Sequence, residues 1–334
     1  MTDPVNELAL AVFGSETGRH IIRAPSDRAW SRHLREFDAD AYERRLAERG
    51  LRFLARSSHE FPPLLRAIHD PPLGLFVRGG SALEVLRRPA VAVVGARACS
   101  GYGASVARTL ARELAGAGLV VVSGLARGVD GESHRGALEA AGTTVAVLGC
   151  GVDRAYPAAH AELAERVAAT GLIVSEYAPG VEPAPWRFPA RNRIIAGLCA
   201  ATVVVEARER SGALITADLA LEEGRDVLAV PGEITSALSA GTNDLLKLGA
   251  SPLTGAADVL ACFGIEPEPT VATAVEGVSG RVLELIRRHP AGADELAGSA
   301  GLTADEVARA LVELELAGLA AGSDGVYRAV GSSS

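Results

Sequence analysis

Two short segments of the chain combine glycines with an arginine directly after an apolar run. Gly95-Ala96-Arg97 follows residues 91–94, and Ser123-Gly124-Leu125-Ala126-Arg127-Gly128 follows residues 119–122. Each segment leads into a pattern typical of a helix, where free backbone N–H groups attract an anion. The guanidinium beside them adds a planar donor for phosphate. One such segment alone is more often a turn with a solvated arginine, but two at neighbouring strand ends favour a phosphate site.

Residues 176–197 form the least ordinary stretch of the sequence. Four prolines between positions 179 and 189 predict a long ordered loop rather than a helix. Aromatic residues alternate there with arginines, a composition typical of surfaces that stack bases and neutralise phosphates. The residues expected to do so are Trp186, Phe188, Arg191, Asn192 and Arg193. The alternative is that the two aromatic side chains only fix the loop to the core.

A third candidate helix start lies at Ser211-Gly212, with Thr216 about one turn further on. Serine is a preferred N-cap residue, so this pattern fits a phosphate-facing helix start and simple capping equally well. Asp130 lies near the start of an earlier helix. It is expected to cap that helix at Gly131 or to orient Arg127 by an ion pair, and capping is the preferred interpretation.

The sequence gives little indication of catalysis, and we predict no catalytic residue, no metal site and no cofactor. The single lysine, Lys247, is followed by leucine, which excludes a Walker A loop. Neither glycine segment fits the dinucleotide-binding pattern G-x-G-x-x-G. The four cysteines and seven histidines are dispersed, without the spacing of metal ligands. Glu176 and Glu206 end predicted strands, but no spacing indicates that they face each other.

Six apolar runs alternate with helical patterns and must position these segments. The runs cover residues 91–94, 119–122, 144–148, 172–174, 202–205 and 227–230. Continuous apolar strands are typical of a parallel sheet that is covered on both faces. We therefore predict an α/β fold with a Rossmann-like doubly wound parallel sheet over residues 79–264. Residues 1–78 are expected to form a small N-terminal helical region and a proline-rich connection.

The last part of the chain is interpreted as a linker, residues 265–280, and a C-terminal winged-helix module, residues 281–330. Helices are predicted at 281–289, 293–300 and 303–317, followed by a β-hairpin. The helix placed to read a duplex would carry one arginine, Arg309, and four acidic residues. Duplex phosphates would repel such a helix, so we expect the module to contact protein or to regulate.

Negative charge is concentrated in this module. The chain has a formal net charge of −8 at pH 7, of which residues 265–334 carry −6 and the preceding 264 residues −2. The overall acidity therefore does not exclude a nucleic-acid partner for the first part of the chain. The sequence shows no signal-peptide pattern and no apolar stretch of ~18 residues. Together with the scattered cysteines, this predicts a cytoplasmic protein that does not bind membranes.

Seven motifs, in order along the chain, resemble the DNA-processing protein A (Smf) family. They are Gly95-Ala96-Arg97, residues 123–130, residues 145–151 with Tyr156-Pro157, Ser175-Glu176-Tyr177, residues 188–197, residues 211–217 and Val230-Pro231-Gly232-Glu233. The resemblance covers about residues 50–260, and the C-terminal module is similar to the winged helix of many members. Residues 1–40 depart from the family, because they lack the helix–hairpin–helix-like glycines that members commonly carry.

The resemblance implies a non-enzymatic protein that binds and protects single-stranded DNA and helps to load a RecA-type recombinase on it during natural transformation. It also implies a homodimer, with the dimer and recombinase surfaces around residues 213–225 and 244–250. Carried over to this sequence, the DNA-binding residues are Gly95, Arg97, Ser123, Gly124, Arg127, Gly128, Trp186, Phe188, Arg191, Asn192, Arg193, Ser211, Gly212 and Thr216.

Two other classes of protein stay open at this point. One is a small-molecule enzyme on the same scaffold, a lysine-decarboxylase-like nucleotide phosphoribohydrolase. Such enzymes rely on a P-G-G-x-G-T-x-x-E motif, and Pro231-Gly232-Glu233-Ile234 does not extend into it. The other is a protein-only adaptor that uses the acidic winged helix and binds no DNA.

Overall fold

The computed structural model describes residues 4–19, 21, 24–266, 275–323 and 325–329 of the chain. The fold consists of two compact units, Met1–Ile265 and Glu266–Ser334. Across the described ranges, we find no helix that is both long enough and apolar enough to cross a membrane.

The first unit is an α/β structure whose described residues form one sheet with helices around it. Its strands are β1 (Leu51–Ala55), β2 (Gly74–Arg78), β3 (Ala90–Val94), β4 (Val120–Ser123), β5 (Thr144–Val147), β6 (Leu172–Ser175), β7 (Ala201–Val204), β8 (Asp226–Ala229) and β9 (Ser251–Pro252). Its helices are α1 (Pro4–Thr17), α2 (Arg28–Glu36), α3 (Ala39–Glu48), α4 (Pro63–Arg66), α5 (Gly101–Gly116), α6 (Val129–Glu139), α7 (Ala161–Thr170), α8 (Arg187–Leu198), α9 (Gly212–Glu222), α10 (Ala240–Lys247) and α11 (Ala256–Cys262).

The six predicted strands form the parallel centre of the sheet, so the doubly wound α/β fold is confirmed. The strand order is β1-β2-β6-β5-β4-β3-β7-β8-β9. Side chains of β3 alternate between two cores: Ala92 and Val94 pack with α8 and α9, whereas Val91 and Val93 pack with α5 and α6. Because β3 lies between β4 and β7, the strand order reverses there. Such a switch point opens a crevice at the carboxyl ends of the strands.

The N-terminal region adds two strands that the sequence analysis did not predict. β1 pairs antiparallel with β2, and β2 pairs antiparallel with β6. Phe53 and Phe76 pack across the β1–β2 pair with ring centroids 4.9 Å apart. Both strands are only five residues long and flank a proline-rich stretch. The prolines between the two strands made them hard to predict from the sequence. In the fold, the burial of Phe76 in the core holds the pair in position.

The stretch 176–197 is a loop only in its first half, so the prediction of a loop throughout was wrong. Residues from Arg187 onward form α8. Pro189 lies in the first turn of this helix. Because the N–H groups of the first turn have no partner within the helix, the N–H that proline lacks removes no hydrogen bond. Residues two apart on a helix do not share a face. Arg191 and Arg193 therefore project in different directions.

The second unit has the three helices and the hairpin of the predicted winged helix. Its elements are α12 (Gly277–Arg288), β10 (Ala291–Gly292), α13 (Ala293–Ala300), α14 (Ala304–Leu316), β11 (Ala320–Ser323) and β12 (Val326–Ala329). Thr303 and Glu306 form a capping box at the start of α14. The hairpin pairs Ser323 with Val326. The helix α12 begins within the stretch interpreted as a linker, of which residues 267–274 lie outside the described residues.

Candidate nucleic-acid interface

A cavity of about 340 Å³, called cavity 1 here, lies at the switch point of the sheet. Its walls come from residues 95–98 after β3, Ala126 and Asp130 after β4, residues 208 and 210–212 after β7, and the first turns of α8. Open α/β sheets bind their ligands at this place. Most of the segments that were predicted to bind phosphate or bases therefore line this cavity.

Asp130 closes the loop after β4 upon itself. Its Oδ2 accepts hydrogen bonds from the backbone N–H of Gly124 at 3.1 Å and of Ala126 at 3.3 Å. The side chain makes neither the predicted cap at Gly131 nor the alternative ion pair with Arg127. Both expectations for Asp130 were wrong, because its carboxylate turns back to the loop that precedes the helix.

Arg191 is buried behind cavity 1 and ties two strand ends together. Its Nη1 donates to the backbone O of Gly124 at 3.0 Å and to the backbone O of Val147. Burial lowers the pKa of Arg191 to about 10 against the opposing effect of Asp130, so the guanidinium stays charged at neutral pH. Burial also raises the pKa of Asp130, and the charge of Arg191 counteracts this. The main role of Arg191 is therefore to stabilise the walls of the cavity.

Arg193 faces a different space, cavity 2, of about 190 Å³. Its Nη1 and Nη2 bind the two carboxylate oxygens of Glu176, each at 2.7 Å, and its Nε lies 2.9 Å from Oδ2 of Asp70. Cavity 2 lies between α1, residues 71–74 and the start of α8. The structure therefore does not bring Arg191 and Arg193 together along one phosphate track.

Ser123, Gly95 and Gly128 allow the loops behind cavity 1 to pack. Ser123 is fully buried, and its Oγ donates to the backbone O of Val93 at 2.7 Å. Gly128 has a φ of +71°, and a β-carbon there would overlap the backbone O of Ala96. Glycine at this position lets the loops after β3 and β4 meet. Of these three residues, Gly95 lines cavity 1.

Three exposed arginines, Arg97, Arg208 and Arg210, line cavity 1. Within the described part of the chain, none of them pairs with a carboxylate, and the one acid that lines the cavity is Asp130. Arg127 is also exposed, but it lies outside the lining. Arg208 and Arg210 are not among the predicted site residues. The signal that could have found them is an Arg-Glu-Arg triplet shortly after the fifth predicted strand.

Phe188 forms a column of flat groups beside cavity 1. Its ring is stacked with Tyr156 at a centroid distance of 5.2 Å and an interplanar angle of 26°. The Cζ of Arg97 lies 5.4 Å from the centroid of Phe188. Rings and guanidinium planes are surfaces on which unpaired bases stack. Trp186 is not part of this column, because it lines cavity 2 beside Arg187.

The start of α5, after the first glycine segment, is already occupied by a carboxylate. Glu206 accepts hydrogen bonds from the backbone N–H of Ser100 at 2.8 Å and from its Oγ at 2.5 Å. A β-carbon at Gly103 would lie 2.5 Å from the same carboxylate. The positive end of α5 is thus neutralised from within the protein. The expectation of a phosphate at this helix start was wrong.

The start of α9 stays open to cavity 1. The predicted N-cap role of Ser211 is confirmed, because its Oγ accepts from the N–H of Ala213 at 3.2 Å. Ser211, Gly212 and Thr216 all line the cavity. Asn192 donates from Nδ2 to the backbone O of Gly212 at 3.1 Å and so joins α8 to α9. Thr216 is buried, and its hydroxyl bonds back to the same carbonyl.

The side chains here that could act as acids, bases or nucleophiles are either hydrogen-bonded to other protein groups or uncharged at neutral pH. Glu206 holds Ser100, and Glu176 holds Arg193. Burial raises the pKa of Cys150 to about 11, so this group is a thiol at neutral pH. Among the residues that the structure describes, no three His, Cys, Asp or Glu side chains come together as metal ligands would.

The fold and the cavity define a class of Rossmann-like proteins with a cationic switch-point cavity and a separate winged helix. The family model of DNA recombination-mediator protein A matches residues 52–264, and the model of the DprA winged helix domain matches residues 266–325. The chain belongs to the DNA recombination-mediator protein A family. The resemblance that the seven motifs indicated is confirmed.

Relatives with similar sequences are named DNA processing protein DprA. The chain is 48% identical to the DNA processing protein DprA of Streptococcus pneumoniae over 203 residues, which is 61% of this chain and 71% of the relative. It is 42% identical to a putative DNA processing protein DprA of Mycobacterium tuberculosis over 303 residues, 85% of this chain and 78% of the relative. Both pairs are similar enough to share a fold.

Two solved structures share this fold. That of DprA from Streptococcus pneumoniae has a TM-score of 0.66 and 38% identity, with 77% of this chain and 92% of the other covered. That of DNA processing protein A from Helicobacter pylori has a TM-score of 0.56 and 32% identity, with 61% and 92% covered. The Helicobacter pylori protein was described for its single-stranded DNA binding mode.

Proposed function

We propose that cavity 1 binds single-stranded DNA and that this binding underlies the work of the protein as a recombination mediator. One observation carries the proposal. Arg97, Arg208 and Arg210 are exposed at one cavity and, in the described residues, face no partner carboxylate. Each arginine that neutralises a phosphate releases counterions and strengthens binding at low salt. The flat column of Tyr156, Phe188 and Arg97 lies at the same place for the bases.

A single strand fits this site better than a duplex. Bases must be unstacked before they can lie against a ring or a guanidinium, and single strands offer such bases. The winged helix does not add a duplex site, because Arg309 on α14 is outnumbered by acidic residues on the same helix. The single-stranded DNA binding mode described for the Helicobacter pylori relative supports the same choice.

The finer role that we propose follows from family membership. The protein would protect incoming DNA and help to load a RecA-type recombinase on it during natural transformation, acting as a cytoplasmic homodimer. The apolar side chains of Ile215, Leu221 and Leu248 are exposed in the segments expected to carry the dimer and recombinase surfaces. The four cysteines are free, as is common in a reducing compartment.

We propose that the site binds without catalysing a reaction. A nucleotide phosphoribohydrolase would need a free carboxylate at the cavity, and Asp130 is bonded to loop amides. Glu206, the other candidate acid, holds the start of α5. Release of a free base from nucleoside monophosphates by the purified protein, lost in Glu206→Gln, would contradict this part of the proposal.

Titration with labelled oligothymidylate and with a duplex of equal length tests the function directly. We expect tighter binding of the single strand and a steep loss of affinity with salt. Arg97→Ala should weaken binding and reduce the slope of log affinity against log salt by about 0.7. Arg87→Ala is the matched control, because Arg87 is exposed before β3, at the other end of that strand. A preference for duplex, or an unchanged slope in Arg97→Ala, would overturn the proposal.

A further inference from the structure

The first turns of α8 separate cavity 1 from cavity 2. Residues on one side of these turns line cavity 1, namely Phe188, Pro189, Arg191 and Asn192. Residues on the other side line cavity 2, namely Trp186, Arg187, Ala190 and Arg193. The first turn contains no acidic residue, and its backbone N–H groups give this end of the helix a positive partial charge. A strand that leaves cavity 1 across the start of α8 thus enters cavity 2 without meeting a negative group on that turn.

Trp186 presents a large open aromatic surface to cavity 2. Its exposed fraction is 51%, although the neighbouring Tyr177 is buried. The Cζ of Arg187 lies 4.9 Å from the centroid of the Trp186 ring and 5.0 Å from that of the Tyr177 ring. Tyr177 meets Trp186 edge-on, at 6.3 Å and 87°. These contacts hold the indole in place, so that little side-chain freedom is lost when a flat ligand stacks on it.

The remaining lining of cavity 2 combines apolar walls with one available cation. Pro71, Pro72 and Leu10 contribute apolar surface to the same cavity as Trp186. Of the other two arginines in the lining, Arg193 pairs with Glu176 and Arg19 pairs with Asp27. Arg187 donates to a backbone carbonyl and, among the described residues, pairs with no carboxylate. A flat ring, apolar walls and a cation suit a base with its phosphate.

The size of cavity 2 limits what can occupy it. Its volume is about 190 Å³. One heterocyclic base fits this space. We infer that cavity 2 is a second nucleobase subsite, in which a base of the strand held by cavity 1 stacks on Trp186. The inference rests on the function proposed for cavity 1.

Intrinsic fluorescence can test this inference, because the sequence holds only two tryptophans. Trp30 is 6% exposed and packs in a separate aromatic cluster, whereas Trp186 is open to cavity 2. Titration of the full chain with oligothymidylate should quench the emission of Trp186. In Trp186→Phe the remaining emission, which comes from Trp30, should not change on binding.

Affinity measurements on two variants distinguish stacking of a base on an aromatic ring at position 186 from simple contact with a large apolar side chain. We expect Trp186→Leu to bind oligothymidylate about 5- to 150-fold more weakly, which corresponds to the ~1–3 kcal/mol of one stacked base. Trp186→Phe, which keeps an aromatic face, should retain most of the affinity. If the Leu variant binds as tightly as the unmodified protein and no quenching occurs, while Arg97→Ala still weakens binding, cavity 2 is not a base subsite and the function of cavity 1 stands. If no oligothymidylate binds at all, both proposals fail.

Discussion

The guanidinium of Arg191 occupies the space that a β-carbon at position 124 would need. Such a carbon would lie 2.5 Å from both Nη1 and Nη2 of Arg191, while the backbone O of Gly124 accepts a hydrogen bond from Nη1 at 3.0 Å. The glycine after β4 thus serves a buried arginine rather than a bound phosphate. This packing determines how α8 meets the sheet, and α8 supplies a wall of both cavities.

Gly124→Ala is expected to lower the free energy of unfolding by ~1–3 kcal/mol, because the added methyl group overpacks a buried region. Urea denaturation measures the change. Gly116→Ala is the control: Gly116 ends α5 with open space around its Cα, so alanine there should leave stability equal or slightly higher. Equal effects in the two variants would show that Arg191 moves aside without cost.

Arg191→Ala and Arg97→Ala should separate structural from binding arginines. Loss of Arg191 removes its buried hydrogen bonds to the backbone O of Gly124 and of Val147 and the charge that counteracts the burial of Asp130. We therefore expect the free energy of unfolding to fall by ~2–5 kcal/mol. Loss of the exposed Arg97 should change that free energy by no more than ~0.5 kcal/mol and should weaken DNA binding. Denaturation and oligothymidylate titration, run on both variants, check the contrast. An Arg191→Ala protein of normal stability would refute the structural role.

Arg208→Ala and Arg210→Ala should each weaken the binding of single-stranded DNA. Each variant removes a cation that faces cavity 1 without a carboxylate partner in the described residues. The slope of log affinity against log salt should fall by about 0.7 for each phosphate that is no longer neutralised. Both side chains are exposed, so stability should stay within ~0.5 kcal/mol. Salt titrations beside Arg87→Ala provide the comparison, and slopes equal to that control would remove both residues from the site.

Acid should destabilise the first unit through His134. The hydroxyl of Thr144 donates to the backbone O of Val121, so it accepts from Nδ1–H of His134, and Nε2 remains without a proton or a partner in the described structure. Burial lowers the pKa of His134 from 6.5 to about 3. The stability that the neutral ring contributes is complete above pH 6.5 and is lost as the pH falls towards 3. The loss approaches about 1.4 kcal/mol per pH unit.

Unfolding free energies measured across that pH range test the effect of His134. His134→Leu should show a flatter pH dependence, because the group that takes up a proton on unfolding is gone. An equally steep dependence in this variant would assign the acid sensitivity to other residues.

The centre of the fold could be predicted from the sequence because its signal is local. Each parallel strand is an apolar run such as residues 90–94, buried on both faces, and needs no knowledge of its partners. β1 and β2 escaped prediction because each is short and gains its stability from Phe76 packing against distant residues. The helix α8 escaped prediction because nearby prolines argue against a helix, although the first helical turn tolerates them.

The types of residue at the site could be predicted from the sequence, but the cavity that each side chain faces could not. The sequence identified Arg97, Phe188 and Ser211, all of which line cavity 1. It could not show that Arg193 and Trp186 turn towards cavity 2, because that depends on where α8 begins and on its helical spacing. Arg208 and Arg210 directly precede the Ser211-Gly212 segment, but their exposure at cavity 1 depends on the fold and not on a local pattern.

The antiparallel pair β1–β2 gives β6 a neighbour on its outer side. Without that neighbour, the apolar strand Leu172–Ser175 would expose a row of unpaired N–H and C=O groups, which invites edge-to-edge aggregation. A fragment cut at residue 79, the predicted domain boundary, would carry this bare edge. A fragment that keeps β1 would not. The N-terminal region therefore covers one edge of the sheet. A fragment without it would lose this protection against aggregation as well as the N-terminal helices.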